Sequence, residues 1–112
     1  MILSIYDVIS KFKPETVVAE ITAVARNVQT QRVLTLLLGA VYGKCVMDNI
    51  EFVMLRPSEW RSLVDKNPKP KTRDELKAWG ISKCKELFDL DLDSDDISDA
   101  ILIGFGYHRR NE

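Results

Sequence analysis

Histidine is almost missing from this sequence: His108, close to the C-terminus, is the one example. Cysteine is scarce as well. Cys45 and Cys84 stand in no metal-ligand spacing and have no histidine near them in the chain. Zinc-type sites with nitrogen and sulfur donors therefore lack ligands, and a cysteine nucleophile lacks a base. No glycine-rich phosphate loop and no nucleophile elbow occur. No apolar run approaches the roughly 20 residues that span a bilayer. Met1-Ile2-Leu3-Ser4-Ile5 has neither the basic start nor the cleavage site of a signal peptide. There is no internal repeat and no low-complexity tract, and net charge is nearly absent at −1, which gives no global case for nucleic acid. The two cysteines fit reduced thiols in a cytosolic protein.

What is present is 46% hydrophobic residues in 112, enough for one packed domain. Charge is segregated along the chain. From Arg56 to Lys85 there are nine Lys or Arg against four Asp or Glu; from Glu86 to Asp99 there are seven acids and no base. A basic stretch beside an acidic one suits a protein that holds a polyanion near a metal, and it also suits ordinary solvated helix faces.

Apolar spacing predicts a helix over 2–12, stopped by Lys13-Pro14. Thr16-Val17-Val18-Ala19-Glu20-Ile21 reads as a buried strand. Residues 22–30 read as a loop. A long helix is expected from Gln31 to Asp48, with Val33, Leu34, Leu37, Leu38, Val41 and Cys45 as its apolar stripe, and then a strand over 50–55. Pro57 or Ser58 opens a short helix, Asn67-Pro68-Lys69-Pro70-Lys71 is a stiff basic loop, and Thr72 caps a helix reaching Phe88. Leu76, Ile81 and Leu87 are its expected inner positions, with Trp79 or Cys84 at its flanks. The last helix is expected over 95–107, followed by a tail. Strand, helix and strand from 16 to 55 imply parallel pairing. Two strands make a small sheet, so the whole reads as part of an α/β fold.

Carboxylates carry the chemistry. Glu20 ends a strand, where ligand sites of open α/β sheets lie. Asp96 and Asp99, three apart, share a face of the last helix, beside an apolar or small surface of Ile97, Ala100, Ile101 and Gly104. Neighbouring carboxylates repel unless a cation sits between them. Oxygen-only donors suit Mg²⁺ or Mn²⁺, and two such ions about 3.5–4 Å apart activate a phosphodiester for hydrolysis. A plainer reading is available too: Ser94 caps the helix, and Asp95 and Asp96 complement its dipole. Asp91-Leu92-Asp93-Ser94-Asp95 opens like a calcium loop, but Asp96 stands where glycine is needed and Leu102 where glutamate is needed.

In order, Thr16-Val17-Val18-Ala19-Glu20, Asn27-Val28-Gln29-Thr30, the Gly39 helix, Pro57-Ser58-Glu59-Trp60-Arg61, Arg73-x-x-x-Lys77 and Asp96-Ile97-Ser98-Asp99-Ala100-Ile101 resemble the RuvC-like Holliday junction resolvases of the RNase H-like superfamily, above all the phage-type members. The resemblance covers about residues 15–107. It implies a metal-dependent endonuclease that cuts four-way DNA junctions as a homodimer, from a bacterial or phage cytoplasm. Glu20, Asp96 and Asp99 would be its catalytic Mg²⁺ or Mn²⁺ ligands. Arg26, Asn27 and Gln29 would face DNA from a loop, and Arg61, Arg73 and Lys77 would be its basic residues near the cleaved backbone.

The sequence departs from the family at its start. The family begins with a β-hairpin region whose first strand carries another catalytic Asp, whereas this sequence starts at a helix that contains Asp7. The expected fold is thus an N-terminally truncated RNase H-like domain with two parallel strands and several helices. An alternative follows: a catalytically inactive RuvC-like protein that binds DNA, or that self-associates through the open edge of the 16–21 strand.

Overall fold

The computed structural model of the chain describes residues 2–21 and 28–111. Its elements are α1 (Ile2–Phe12), β1 (Thr16–Glu20), α2 (Val28–Met47), β2 (Glu51–Leu55), α3 (Pro57–Val64), α4 (Arg73–Phe88) and α5 (Asp95–Arg110). The α/β class and the two parallel strands expected from the sequence are both present. The chain divides into two compact units, one ending at Met54 and the other beginning at Leu55.

In the first unit β1 pairs with β2. The Glu51 N–H donates to the Glu15 carbonyl at 3.1 Å, and Thr16 Oγ1 donates to Glu51 Oε1 at 3.2 Å. α1 packs on α2 around buried Ile9, Val41 and Cys45, with Ile5, Val17, Ile50 and Phe52 against them. Burying one such side chain stabilises by about 1.5–3 kcal/mol, so three buried residues make a small core. Tyr6 adds a hydrogen bond from its hydroxyl to the Ala40 carbonyl at 3.0 Å. Both helices end in left-handed residues, Lys13 (φ 46°) and Asn49 (φ 60°). There the Lys13 N–H bonds the Ile9 carbonyl and the Ile50 N–H the Cys45 carbonyl, at 2.9 and 2.8 Å.

The structure corrects the sequence reading of α2 at two points. Residues 28–30, expected in a loop, already belong to the helix. Val33, expected in the apolar stripe, is exposed, as are Leu36 and Tyr42, because α1 and the sheet cover only the side that carries Val41 and Cys45.

In the second unit α3 and α4 both pack on α5. The caps are local. Glu59 Oε1 accepts the Arg56 N–H at 3.2 Å, Thr72 Oγ1 the Glu75 N–H at 3.2 Å, and Ser94 Oγ the Ile97 N–H at 3.4 Å. Trp60, Val64, Cys84, Leu102, Ile103 and the hydroxyl residue Ser98 are buried. Gly80 and Cys84 of α4 and Ser98 of α5 are buried, Leu76 and Ile81 are half-buried, and Leu87, expected inside, is exposed. α5 is rotated from expectation. Ile97, Ala100 and Gly104 face outward, and Ser98, Leu102 and Gly106, at helical spacing, face inward. Small residues on the inner faces let the helices approach closely, which hydrophobicity alone does not show. α5 also runs on to Arg110, past the expected end at Tyr107. No helix among the described residues is long and apolar enough to cross a membrane.

Candidate metal and nucleic-acid site

Two helix starts and one short helix frame a cavity of about 380 Å³ in the second unit. The first turn of α5 brings Asp95, Asp96 and Asp99. The start of α4 brings Arg73, Leu76 and Lys77, with Lys71 just ahead of its cap. α3 brings Arg61. Four cations thus face three carboxylates across one space. Asp95 and Asp99 are half-buried and Asp96 is exposed. Placing Asp95 and Asp96 in the first turn sets negative charge at the positive end of the helix dipole, so folding and site chemistry favour the same residues there.

The supports of the site are visible in detail. Ser98, fully buried between Ile97 and Asp99, donates from Oγ to the Asp95 carbonyl at 2.9 Å, and its own carbonyl accepts from Cys84 Sγ at 3.7 Å. Burial pushes the Cys84 thiol above its ordinary range, and the neighbouring Asp99 charge adds to this. Burial, with Asp48 second, does the same to Cys45. Neither thiol is primed as a nucleophile. On the basic side the Arg61 guanidinium lies over the Trp60 ring, 5.0 Å from its centroid. The loop before α4 is tied down. Lys69 donates to the Asp65 and Asn67 carbonyls and lies over the Trp79 ring, while Asp65 pairs with Lys83 at 3.0 Å. Lys71, two residues further on, is carried by that fixed loop.

Of the residues the sequence singled out, Arg61, Arg73, Lys77, Asp96 and Asp99 line this one cavity. Glu20 ends β1, half-buried, and Gln29 is exposed on the first turn of α2, both in the first unit. Arg26 and Asn27 lie outside the described residues. Sequence reasoning missed Asp95 and Lys71. Asp95 is one turn before Asp99, an i, i+4 relation legible in principle; Lys71 shows itself only once the loop is folded. Oxygen donors from two or three aspartates fit Mg²⁺ or Mn²⁺, which take one or two carboxylates and fill the remaining positions with water and phosphate. Among the described residues no three His, Cys, Asp or Glu side chains gather tightly enough to hold a metal by themselves.

Neither a protein-family model nor a curated protein sequence matches the chain. Among solved structures it is similar to Thermus thermophilus RuvC, with a TM-score of 0.76 and 15% identity. It is also similar to T. thermophilus RuvC in complex with a Holliday junction substrate, with a TM-score of 0.75 and 15% identity. In both comparisons 98% of this chain is covered, and it spans 64% of the other chain. The likeness is one of fold: an α/β chain with two parallel strands and helices, as in these RuvC structures.

Proposed function

We propose that this chain carries much of the metal- and DNA-binding face of a RuvC-like endonuclease that cuts four-way DNA junctions. The observation that carries this reading is the cavity in which Asp95, Asp96 and Asp99 face Arg61, Lys71, Arg73 and Lys77. The RuvC-like fold supports it, as does the Holliday junction bound by one of the similar structures.

In this reading Asp96 and Asp99 hold Mg²⁺ or Mn²⁺; Glu20 is a candidate ligand on the sequence resemblance alone. The bound ion supplies Lewis-acid polarisation of a phosphodiester and an activated water. The chain's own cations hold the strand. Arg61, Arg73 and Lys77 take phosphate oxygens, Arg in bidentate fashion and Lys as a point charge. Gln29, with Arg26 and Asn27, extends the DNA contact, and the working unit is a homodimer on branched DNA. The basic wall also lowers mutual repulsion among the aspartates before DNA arrives.

A second reading, a RuvC-like DNA-binding protein without cleavage, is favoured by the lack of a three-ligand cluster among the described residues. A cleavage assay on a synthetic four-way junction with Mg²⁺ or Mn²⁺ separates the two. Cleavage by the native chain that disappears in Asp99→Asn and Asp96→Asn is the expected result. Junction binding without cleavage by the folded native chain would leave the second reading. Cleavage unchanged in both variants would remove the site from this cavity.

A further inference from the structure

Gly80 sits well inside α4, buried on the side that meets α5. A glycine inside a helix is less favourable than alanine, and α4 accepts one here for a spatial reason. A Cβ built at position 80 would lie 3.2 Å from Ser98 Oγ, 3.4 Å from Asp99 Oδ1 and 3.9 Å from Leu102 Cδ1. The surroundings differ in how far they can yield. Ser98 is fully buried, its hydroxyl is bonded to the Asp95 carbonyl, and its own carbonyl receives the Cys84 thiol. Leu102 is also fully buried. Ser98 therefore carries the tight contact, and Asp99, the next residue on the same turn, stands half-buried at the cavity edge.

We propose that Gly80 is a positioning residue for Asp99. The absent side chain lets α5 settle close to α4, and that approach fixes where the Asp99 carboxylate stands in the cavity. The inference rests on the reading of Asp99 as a metal ligand and deepens it. A methyl group at position 80 presses on Ser98 Oγ, which must give by a few tenths of an ångström, and the turn of α5 that carries Asp99 shifts with it. Metal–ligand distances tolerate about 0.2 Å, so such a shift is large for a metal ligand and small for the fold. The other glycines provide contrast. Gly104, on α5 itself, has nothing within 4 Å of its built Cβ. Gly106 packs against the Trp60 carbonyl and Leu63, away from the carboxylates.

The test compares the full native chain with Gly80→Ala, Gly104→Ala, Ser98→Ala and the double variant Gly80→Ala/Ser98→Ala. Three quantities are measured on each: helix content by circular dichroism, the side-chain carboxyl ¹³C resonances of Asp99 and Asp96, and Mn²⁺ affinity by water-proton relaxation. Gly80→Ala should keep its helix content, shift the Asp99 resonance more than that of Asp96, and weaken Mn²⁺ binding by about tenfold or more, the range seen when supports of metal ligands are altered. Gly104→Ala should leave all three unchanged. Removing the Ser98 hydroxyl relieves the shortest contact, so adding Gly80→Ala to Ser98→Ala should move Asp99 less than adding it to the native chain. If Gly80→Ala alone unfolds, the Ser98→Ala background carries the same comparison. An unmoved Asp99 resonance in folded Gly80→Ala would overturn the inference, as would an equal effect in both backgrounds. Failure of the native chain to bind Mn²⁺ would count against the metal reading alone, because the carboxyl resonance reports the position of Asp99 without metal.

Discussion

Arg109 and Val64 are joined by a hydrogen bond across 45 positions of sequence: Arg109 Nη1 donates to the Val64 carbonyl at 3.1 Å. Val64 is the last residue of α3 and Arg109 lies in the last turn of α5, so one guanidinium satisfies an orphan carbonyl of one helix and anchors the end of the other. Arg109→Ala should lower the stability of the second unit by about 0.5–1.5 kcal/mol, the net value of one hydrogen bond. Urea unfolding followed by Trp60 and Trp79 fluorescence measures this. An unchanged midpoint would show that the bond adds nothing to stability.

Gly104 and Gly106 make a matched pair on the same helix. A Cβ at Gly104 meets nothing within 4 Å, whereas one at Gly106 would stand 3.1 Å from the Trp60 carbonyl and 3.2 Å from Leu63 Cβ. Neither neighbour is a flexible side-chain end that can swing away. Gly104→Ala should therefore raise stability by up to about 1 kcal/mol through helix propensity. Gly106→Ala should lower it by about 1–3 kcal/mol through overpacking between α3 and α5. The two variants unfold at midpoints on opposite sides of the native one if the packing is as described; shifts of the same sign would contradict it.

The packing around α5 also separates what is legible in the sequence from what is not. Stop and cap signals act within a few residues, so Lys13-Pro14, Thr72 and Ser94 mark helix ends correctly. The sequence pattern ends α5 too early because the bond that holds its last turn comes from α3. Hydrophobicity misplaces its inner face because Ser98 and Gly106 are buried for closeness. Asp96 and Asp99 are legible as a carboxylate pair from their spacing. Their encounter with Lys71, Arg73 and Lys77 depends on how α4 crosses α5, which no local pattern encodes.

Asp65 and Lys83 make a pH-dependent clasp between the loop after α3 and α4. The Asn67 N–H bonded to Asp65, with the Lys83 ammonium beside it, holds the Asp65 carboxyl below its ordinary value of 3.8. Asp65 in turn, with Glu86 assisting, raises Lys83 above its ordinary 10.5. Near pH 3.8 the unfolded chain then binds more protons at Asp65 than the folded one, so stability rises with pH there. The Asp65 contribution is present above 3.8 and is lost as pH falls toward the lower folded value. The Lys83 contribution is present below 10.5 and is lost as pH rises through the higher folded value. Asp65→Asn should flatten the acid limb of a stability–pH profile and Lys83→Met the alkaline limb, as read by urea midpoints across the range. An acid limb of native steepness in Asp65→Asn would show that other carboxylates govern it.

The basic wall of the cavity makes a prediction about salt. Each phosphate neutralised by a fixed cation releases counterions, so deleting one such cation changes the slope of log affinity against log salt by roughly one. Lys71, Arg73 and Lys77 line the cavity with the three aspartates. Lys85 serves as the control, because it pairs with Asp89 at 2.8 Å and Asp91 at 3.3 Å on the exposed end of α4 and is not part of the cavity. Arg73→Ala, Lys77→Ala and Lys71→Ala should each reduce the salt slope of four-way junction binding by about one unit, and Lys85→Ala should leave it unchanged. Removing Asp96 should act in the opposite sense without metal, since a carboxylate in the cavity repels phosphate. Asp96→Asn is therefore expected to tighten metal-free junction binding while removing the metal-dependent component. A uniform loss of affinity with an unaltered slope in the three cationic variants would mean that these cations shape the cavity without touching phosphate. DNA would then lie on another face of the chain.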